Sequence, residues 1–208
     1  MARLDLARGL AELAAADPDF ARVIALHGPP PRRVRPQGFA TLIQAILAQQ
    51  VSRASADAIW GRLAAAVDPF TPEGLLAFDE TALRRFGLSQ QKARYARALA
   101  AALAEGRLDL RRLSRAEDET AIEMLTALPG IGRWTAEIYL LAALQRPDVW
   151  PAADLALMIA VERLKGLPAR PSFREMTALG EAWRPWRAVA ARVLWHYYRV
   201  AKGREGTL

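Results

Sequence analysis

Helical periodicity dominates this chain and limits the folds open to it. Apolar residues recur every three to four positions in nearly every segment, whereas the strict alternation of a half-buried β-strand is almost absent. Helix-start signals, each a capping side chain followed by proline or glutamate, lie at Asp17-Pro18, at Thr71-Pro72 and at Ser172 with Glu175. The sequence therefore predicts an all-α protein.

The composition excludes several kinds of chemistry. The 208-residue chain has no cysteine, which excludes disulfides, thiolate nucleophiles and cysteine-ligated iron–sulfur clusters. With only His27 and His196, we do not expect a histidine-based metal site. No window holds the roughly 20 uninterrupted apolar residues of a membrane span, and the N-terminus lacks a signal-peptide layout, so we expect a cytoplasmic protein. The net charge of +7 indicates either a polyanionic partner or a merely basic surface.

A glycine-rich turn separates two helix-like segments, residues 119–127 and residues 133–143. Residues 128–136 read Leu-Pro-Gly-Ile-Gly-Arg-Trp-Thr-Ala. Glycine tolerates a positive φ and has no Cβ, so a tight hairpin can form whose amides approach a phosphate at the start of the second helix. The alternative is an ordinary corner between two helices, closed by Gly130 and Gly132.

A candidate functional carboxylate follows this turn in the sequence. Asp154 lies 22 residues beyond Gly132, just before a helical run over residues 155–165. One interpretation is a simple N-cap. The other is a carboxylate whose charge is favoured by the helix dipole and which faces a sugar that becomes cationic when a glycosidic bond breaks. The two interpretations are compatible.

A second turn divides a predicted helix pair over residues 39–63. It contains Gln49 and Gln50, and Ser52 can cap the following helix. Two adjacent glutamines are either solvent-facing turn residues or planar hydrogen-bonding side chains that enter a duplex and fill the gap left by a displaced nucleotide.

A long helix is predicted from Ser89 to about Glu105, with Ser89 as its cap. Its basic side chains are expected to cover a solvated face; these are Lys92, Arg94 and Arg97.

Taken together, these stretches resemble a known family. The turn at residues 128–136, followed by Pro151 and Asp154, resembles the helix-hairpin-helix, Gly/Pro-rich loop and aspartate signature of DNA glycosylases. Residues 39–52 and the run Trp-Arg-Pro-Trp-Arg at 183–187 extend the match to about residues 37–200. The chain is similar to the alkylbase branch, the DNA-3-methyladenine glycosylase II family.

The resemblance implies a two-lobed helical bundle with a helix-hairpin-helix motif and a cleft between the lobes. We expect residues 1–36 to form an N-terminal helical segment and Pro/Arg-rich connector packed on the C-terminal lobe. Residues 37–115 are then a helical lobe that carries the glutamine turn, and residues 116–208 a lobe with the hairpin and the catalytic aspartate.

The resemblance also assigns roles to residues. Asp154 is the expected catalytic residue, and Gln50 the wedge that replaces the flipped nucleotide. The base pocket is expected to include Trp134, Trp195, Ile138 and Leu155, the last two at positions where some family members carry tyrosine. The expected DNA-binding residues are Gly130, Ile131, Gly132, Arg133, Thr135, Gln49, Gln50 and Ser52. The backbone carbonyls expected to hold a structural Na⁺ or K⁺ ion are those of Thr126, Leu128 and Gly130.

One position bears on the type of reaction. Trp134 stands where bifunctional members carry the lysine that forms a Schiff base, so we expect hydrolysis without AP-lyase activity, with no required cofactor and no iron–sulfur cluster. The expected partner is double-stranded DNA with damaged bases, of the 3-methyladenine or 7-methylguanine type, and the expected state is a monomer. Alternatives are a glycosylase for another lesion, such as uracil or hypoxanthine, and a non-catalytic helix-hairpin-helix DNA-binding module.

Overall fold

The structure, a computed structural model, describes residues 3–203, and within that range the chain is helical without any strand. The all-α prediction is therefore confirmed. None of the helices in the described range has the length and apolar character needed to cross a membrane. The helices are α1 (Leu6–Ala16), α2 (Pro18–His27), α3 (Phe39–Leu47), α4 (Arg53–Ala66), α5 (Pro72–Leu76), α6 (Glu80–Arg85), α7 (Gln90–Ala104), α8 (Leu110–Arg115), α9 (Asp118–Thr126), α10 (Arg133–Ala142), α11 (Leu155–Leu164), α12 (Phe173–Glu181) and α13 (Arg187–Lys202).

The predicted helix starts coincide with side-chain caps. Asp17, Thr71 and Ser89 each accept a backbone N–H from the first turn of the helix that follows them. Ser172 forms a capping box with Glu175 at the start of α12. Since the first N–H groups of a helix have no partner within it, each such cap contributes about 1 kcal/mol. Local side-chain chemistry thus sets where these helices begin.

The described chain divides into two compact units. Unit 1 contains residues 3–34 and 140–203, and unit 2 is Arg35–Tyr139. This division differs from the expected one, which grouped residues 116–139 with Asp154. The hairpin belongs to unit 2 because Gly130 packs closely against Tyr95 of α7 and its carbonyl accepts a hydrogen bond from Gln49. Residues 1–2 and 204–208 of the expected divisions lie outside the described range.

Unit 1 joins the two N-terminal helices to the C-terminal ones through an aromatic core. Phe20 of α2 meets the ring of Trp183 edge-on at 5.3 Å, and Trp150 meets the same ring at 5.1 Å. Beside this cluster, Lys165 Nζ donates to both carboxylate oxygens of Asp17 at 2.8 and 2.7 Å. These contacts tie α2 to residues about 150 positions away in the chain.

Unit 2 is built around α7, which contacts α3, α5 and α6. Four of its alanines are fully buried and allow this close packing: Ala93, Ala96, Ala100 and Ala102. The expectation that its basic residues are solvated is wrong for Lys92, which is 9% exposed and donates from Nζ to the carbonyl of Leu47 at 2.7 Å. Arg97 is half-buried and donates to the carbonyls of Leu76 and Phe78, whereas Arg94 is exposed as expected. The long stem of lysine lets its amine reach the unpaired carbonyls at the end of α3.

Candidate active site

The hairpin in unit 2 has two glycines with different structural demands. Gly130 has a φ of 87°, and a Cβ there would overlap the ring of Tyr95. Gly132 has no positive φ, and a Cβ there would meet no heavy atom of the described residues within 4 Å. Gly130 is therefore required by the fold, whereas Gly132 borders open space just before α10.

The α10 segment presents some candidate residues and buries others. Trp134 is 44% exposed, and Ile138, one turn later on the same face, is half-buried. The side chains of Ile131 and Thr135 are buried, so a DNA contact from either position would use the backbone.

Arg133 is held by two carboxylates. Its Nη1 and Nη2 donate to the two oxygens of Glu119 at 2.6 and 2.8 Å, and its Nε donates to Glu137 at 2.9 Å. The hydrogen bond to Glu119 is the largest cause that raises the pKa of Arg133 and lowers that of Glu119. Burial raises the pKa of Glu137 to about 7, although Arg133 opposes that shift. Arg133 thus links the first turns of α9 and α10, and a phosphate would compete with these carboxylates for it.

The glutamine turn lies between α3 and α4, also in unit 2. Gln50 is exposed and has a φ of 55°, an uncommon conformation for a residue with a Cβ. Gln49 is half-buried, and its Nε2 donates to the carbonyl of Gly130 at 2.8 Å. Ser52 caps α4 by accepting the N–H of Ser55 at 3.2 Å. The two glutamines therefore differ: one is bonded inside the protein and the other is presented to solvent.

Two of the three hairpin carbonyls expected to bind a monovalent ion accept hydrogen bonds from the protein. The Leu128 carbonyl accepts the N–H of Ile131 at 3.2 Å, and the Gly130 carbonyl accepts the Gln49 amide. A carbonyl oxygen has a second lone pair, so both can still face a monovalent cation. Backbone oxygens are suitable ligands for Na⁺ and K⁺, so these hydrogen bonds are compatible with the expected ion site.

In unit 1, Asp154 is the N-cap of α11 and is 8% exposed. Its Oδ1 accepts two hydrogen bonds, from the N–H of Leu157 at 2.9 Å and from Nε1 of Trp195 at 3.1 Å. The next residue, Leu155, is 57% exposed. The carboxylate is thereby fixed in orientation by one backbone donor and one side-chain donor.

The loop that leads to Asp154 is held at two points. Asp148 accepts hydrogen bonds from Nε and Nη2 of Arg187 at 2.9 and 3.0 Å. Trp150 donates from Nε1 to the carbonyl of Met176 at 2.8 Å, and a Cβ on Gly180 would clash with this indole. These contacts position the loop on α12 and α13.

Sequence reasoning missed three of these relationships. It placed Trp195 in a base pocket but gave no sign of its bond to Asp154, and it did not connect Gln49 to Gly130. It also did not identify Asp148 as the anchor of the loop. The two residues of each pair are far apart in the sequence, and no local sequence pattern predicts such a contact.

Comparisons with known proteins identify the family of the chain. Residues 43–185 match the family model described as "HhH-GPD superfamily base excision DNA repair protein". Over 198 residues the chain is 35% identical to a probable bifunctional transcriptional activator/DNA repair enzyme AlkA of Mycobacterium tuberculosis; the match covers 89% of this chain and 38% of that protein. The chain thus spans well under half of this relative.

Two solved structures match along almost the whole chain. A DNA-3-methyladenine glycosidase from Bacillus halodurans is 32% identical with a TM-score of 0.85, covering 97% of this chain and 93% of the other. The 3-methyladenine DNA glycosylase Mag1 of Schizosaccharomyces pombe, in complex with abasic DNA, is 29% identical with a TM-score of 0.81, covering 97% and 100%. The protein therefore belongs to the HhH-GPD superfamily of base excision DNA repair proteins, in the branch that contains the DNA-3-methyladenine glycosylases.

Proposed function

We propose that this protein is a monofunctional DNA glycosylase that releases alkylated purines from duplex DNA by hydrolysis of the N-glycosidic bond. The observation that carries the proposal is the Asp154 carboxylate, fixed by hydrogen bonds from Leu157 and Trp195. The similarity to 3-methyladenine glycosylases supports the class of substrate. We propose that it acts as a monomer on chromosomal DNA.

The proposed reaction uses the charge of the damaged base. 3-Methyladenine and 7-methylguanine are cationic within the nucleotide, so the base leaves as a neutral molecule when it takes the electron pair of the glycosidic bond. The sugar becomes an oxocarbenium-like cation, which the Asp154 carboxylate stabilises. The oxygen of an oriented water bonds to C1′, and the water gives up one proton to solvent. No general acid is needed for the base.

We assign the contacts with the flipped base to the indole rings of Trp134 and Trp195. A cationic purine on an indole face gains a cation–π contribution of about 0.5–2 kcal/mol. Ile138 and Leu155 add apolar surface to the proposed base contacts.

We propose that a lyase step is absent. Trp134 replaces the Schiff-base lysine of the bifunctional relatives. The amine of Lys92 donates to the carbonyl of Leu47, and that of Lys165 is paired with Asp17 and Asp19. Neither amine is available as a nucleophile in these positions.

DNA is held, in this proposal, by the backbone amides around Gly132 and by Gln50 as the wedge. The carbonyls of Thr126, Leu128 and Gly130 would hold a Na⁺ or K⁺ ion, which supplies positive charge beside a phosphate. Because phosphate contacts release counterions, binding should weaken steeply with salt.

The test is release of 3-methyladenine from methylated duplex DNA by the wild type and by Asp154→Asn. Asparagine is an equally good N-cap, so the variant should keep its fold but lose almost all release. The same incubation with borohydride should trap no protein–DNA adduct, and the abasic product should remain uncut without added base.

A wild type that releases no base from any member of a panel of single-lesion duplexes, yet binds abasic DNA, would favour a non-catalytic module. An Asp154→Asn enzyme as fast as the wild type would refute the catalytic assignment. Efficient borohydride trapping would refute the monofunctional assignment alone.

A further inference from the structure

The hydrogen bond between Gln49 and Gly130 joins two turns that are far apart in sequence. The donor Nε2 of Gln49 lies 2.8 Å from the Gly130 carbonyl oxygen, across a separation of 81 residues, and both turns belong to unit 2. Gln49 is half-buried, whereas its neighbour Gln50 is exposed. The side chain of Gln49 is therefore bonded within the protein, whereas that of Gln50 is exposed to solvent.

Both turns contain a residue in the left-handed region. Gln50 has a φ of 55° next to the donor, and Gly130 is itself the acceptor with a φ of 87°. Such conformations are costly for a residue with a Cβ and persist only where neighbouring contacts enforce them. The Gln49 amide is a contact between the two turns, because it connects the residue before Gln50 to the carbonyl of Gly130.

Helix α7 also contacts both turns or the residues next to them. Lys92 donates to the Leu47 carbonyl at the end of α3, just before the glutamine turn. Tyr95, three residues later on α7, packs against Gly130 in the hairpin. Residues three apart on a helix share a face, so one face of α7 fixes both turns, and Gln49 links them directly.

We propose that Gln49 is a positioning residue that couples the Gln50 wedge to the hairpin, acting through these two groups rather than by touching DNA. This inference rests on the proposed function, since it concerns how the same protein grips a duplex. Its consequence is that the phosphate contact at the hairpin and the insertion of Gln50 behave as one event. A duplex with a gap that can accept the Gln50 side chain should therefore bind more tightly than a duplex that offers only phosphate contacts.

The experiment measures the preference for a gap without requiring catalysis. Dissociation constants are determined for a duplex with one tetrahydrofuran abasic analogue and for the same duplex undamaged, at several salt concentrations. The preference for the gap is the dissociation constant for undamaged duplex divided by that for abasic duplex. Gln49→Met keeps the side-chain length but removes the donor, and should lower this ratio roughly fivefold to tenfold. The salt dependence for undamaged DNA should stay close to that of the wild type, and the melting temperature should fall by only a few degrees.

Two further variants separate positioning from a general loss of structure. Gln49→Glu replaces the amide donor by a carboxylate facing a carbonyl, so it should lower the ratio at pH 8 and recover part of it at pH 5, where a protonated carboxyl can donate. The matched control is Gln44→Met on α3, whose side chain accepts a hydrogen bond from Arg35 at 3.2 Å and which should leave the ratio unchanged.

The decisive readout is a double-mutant cycle with Gln50→Ala. If Gln49 acts through the wedge, Gln49→Met should have almost no further effect on the ratio once Gln50 is truncated. An equal effect in both backgrounds, or no effect of Gln49→Met in the wild type, would overturn the inference while leaving the proposed glycosylase intact. A wild type with no preference for the abasic duplex would also overturn the inference, whereas the glycosylase assignment is refuted only by absence of base release.

Discussion

Nε1 of Trp195 lies 3.1 Å from Oδ1 of Asp154 and donates a hydrogen bond to it, which joins α13 to the first turn of α11 across 41 residues of sequence. The indole thus has a polar function as well as an aromatic face. Because the same Oδ1 also accepts the N–H of Leu157, the carboxylate cannot rotate without losing both bonds.

Trp195→Phe should separate these two functions. Phenylalanine keeps an aromatic face but removes the donor, and a hydrogen bond to a charged group contributes about 1.5–3 kcal/mol. We expect single-turnover release of 3-methyladenine to slow by roughly tenfold to a hundredfold, with affinity for abasic DNA nearly unchanged. Trp195→Leu should lose more, since it also removes the ring. A Trp195→Phe enzyme with the wild-type rate would show that the bond does not matter for catalysis.

The hairpin glycines should respond differently to the same substitution. Gly130→Ala places a Cβ into the ring of Tyr95 at a positive φ, so denaturant unfolding should show a loss of about 3 kcal/mol. Gly132→Ala meets no described atom within 4 Å and should cost less than about 1 kcal/mol. Its effect should appear in DNA affinity, because the proposed phosphate contact uses the backbone amides around Gly132. Equal losses of stability would contradict this distinction.

The stability of the protein should depend on Glu137 between pH 5 and pH 7. In the unfolded chain this carboxyl releases its proton near its ordinary value of 4.5, whereas burial holds the folded pKa at about 7. The folded state therefore binds more protons in this range, and stability falls as pH rises. Glu137→Gln removes this dependence, so its unfolding free energy should gain about 2 kcal/mol on the wild type from pH 5 to pH 7.

The control for that prediction is Glu119→Gln. Glu119 shares Arg133 with Glu137, but its pKa is lowered, so it is ionised in both states over this range. The difference between Glu119→Gln and the wild type should therefore stay flat from pH 5 to pH 7. A flat difference for Glu137→Gln as well would mean that its carboxyl titrates normally in the folded protein.

Gln50 should show a trade between stability and function. Its φ of 55° suits glycine better than any residue with a Cβ. Gln50→Gly should be more stable than Gln50→Ala by about 1 kcal/mol in denaturant unfolding, because only alanine retains the strain. Both should lose the preference for abasic over undamaged duplex, since neither carries a wedge. Two equally stable variants would show that the turn relaxes when the side chain is removed.

The features that sequence could predict are those encoded within a few residues. Asp17, Ser172 and Asp154 cap helices by bonding to an N–H two or three positions away, so a short pattern is enough to identify them. The hairpin glycines were recognisable for the same reason.

Contacts between distant segments could not be predicted in this way. Helical periodicity places Lys92 on a face of α7 but does not show that the end of α3 lies against that face. The grouping of the hairpin with unit 2 depends on Tyr95 and Gln49, which are 35 and 81 residues from Gly130. Such pairings are decided by packing, for which a single sequence holds no local signal.

The discontinuity of unit 1 has a consequence for biosynthesis. The helices α1 and α2 leave the ribosome before the other described helices, but Trp183 and Lys165, which hold Phe20 and Asp17, are made more than 140 residues later. Unit 2, an uninterrupted stretch, is complete before then and can fold as a unit during synthesis. The helices α1 and α2 are therefore made before unit 2 but reach their native partners only after unit 2 is complete.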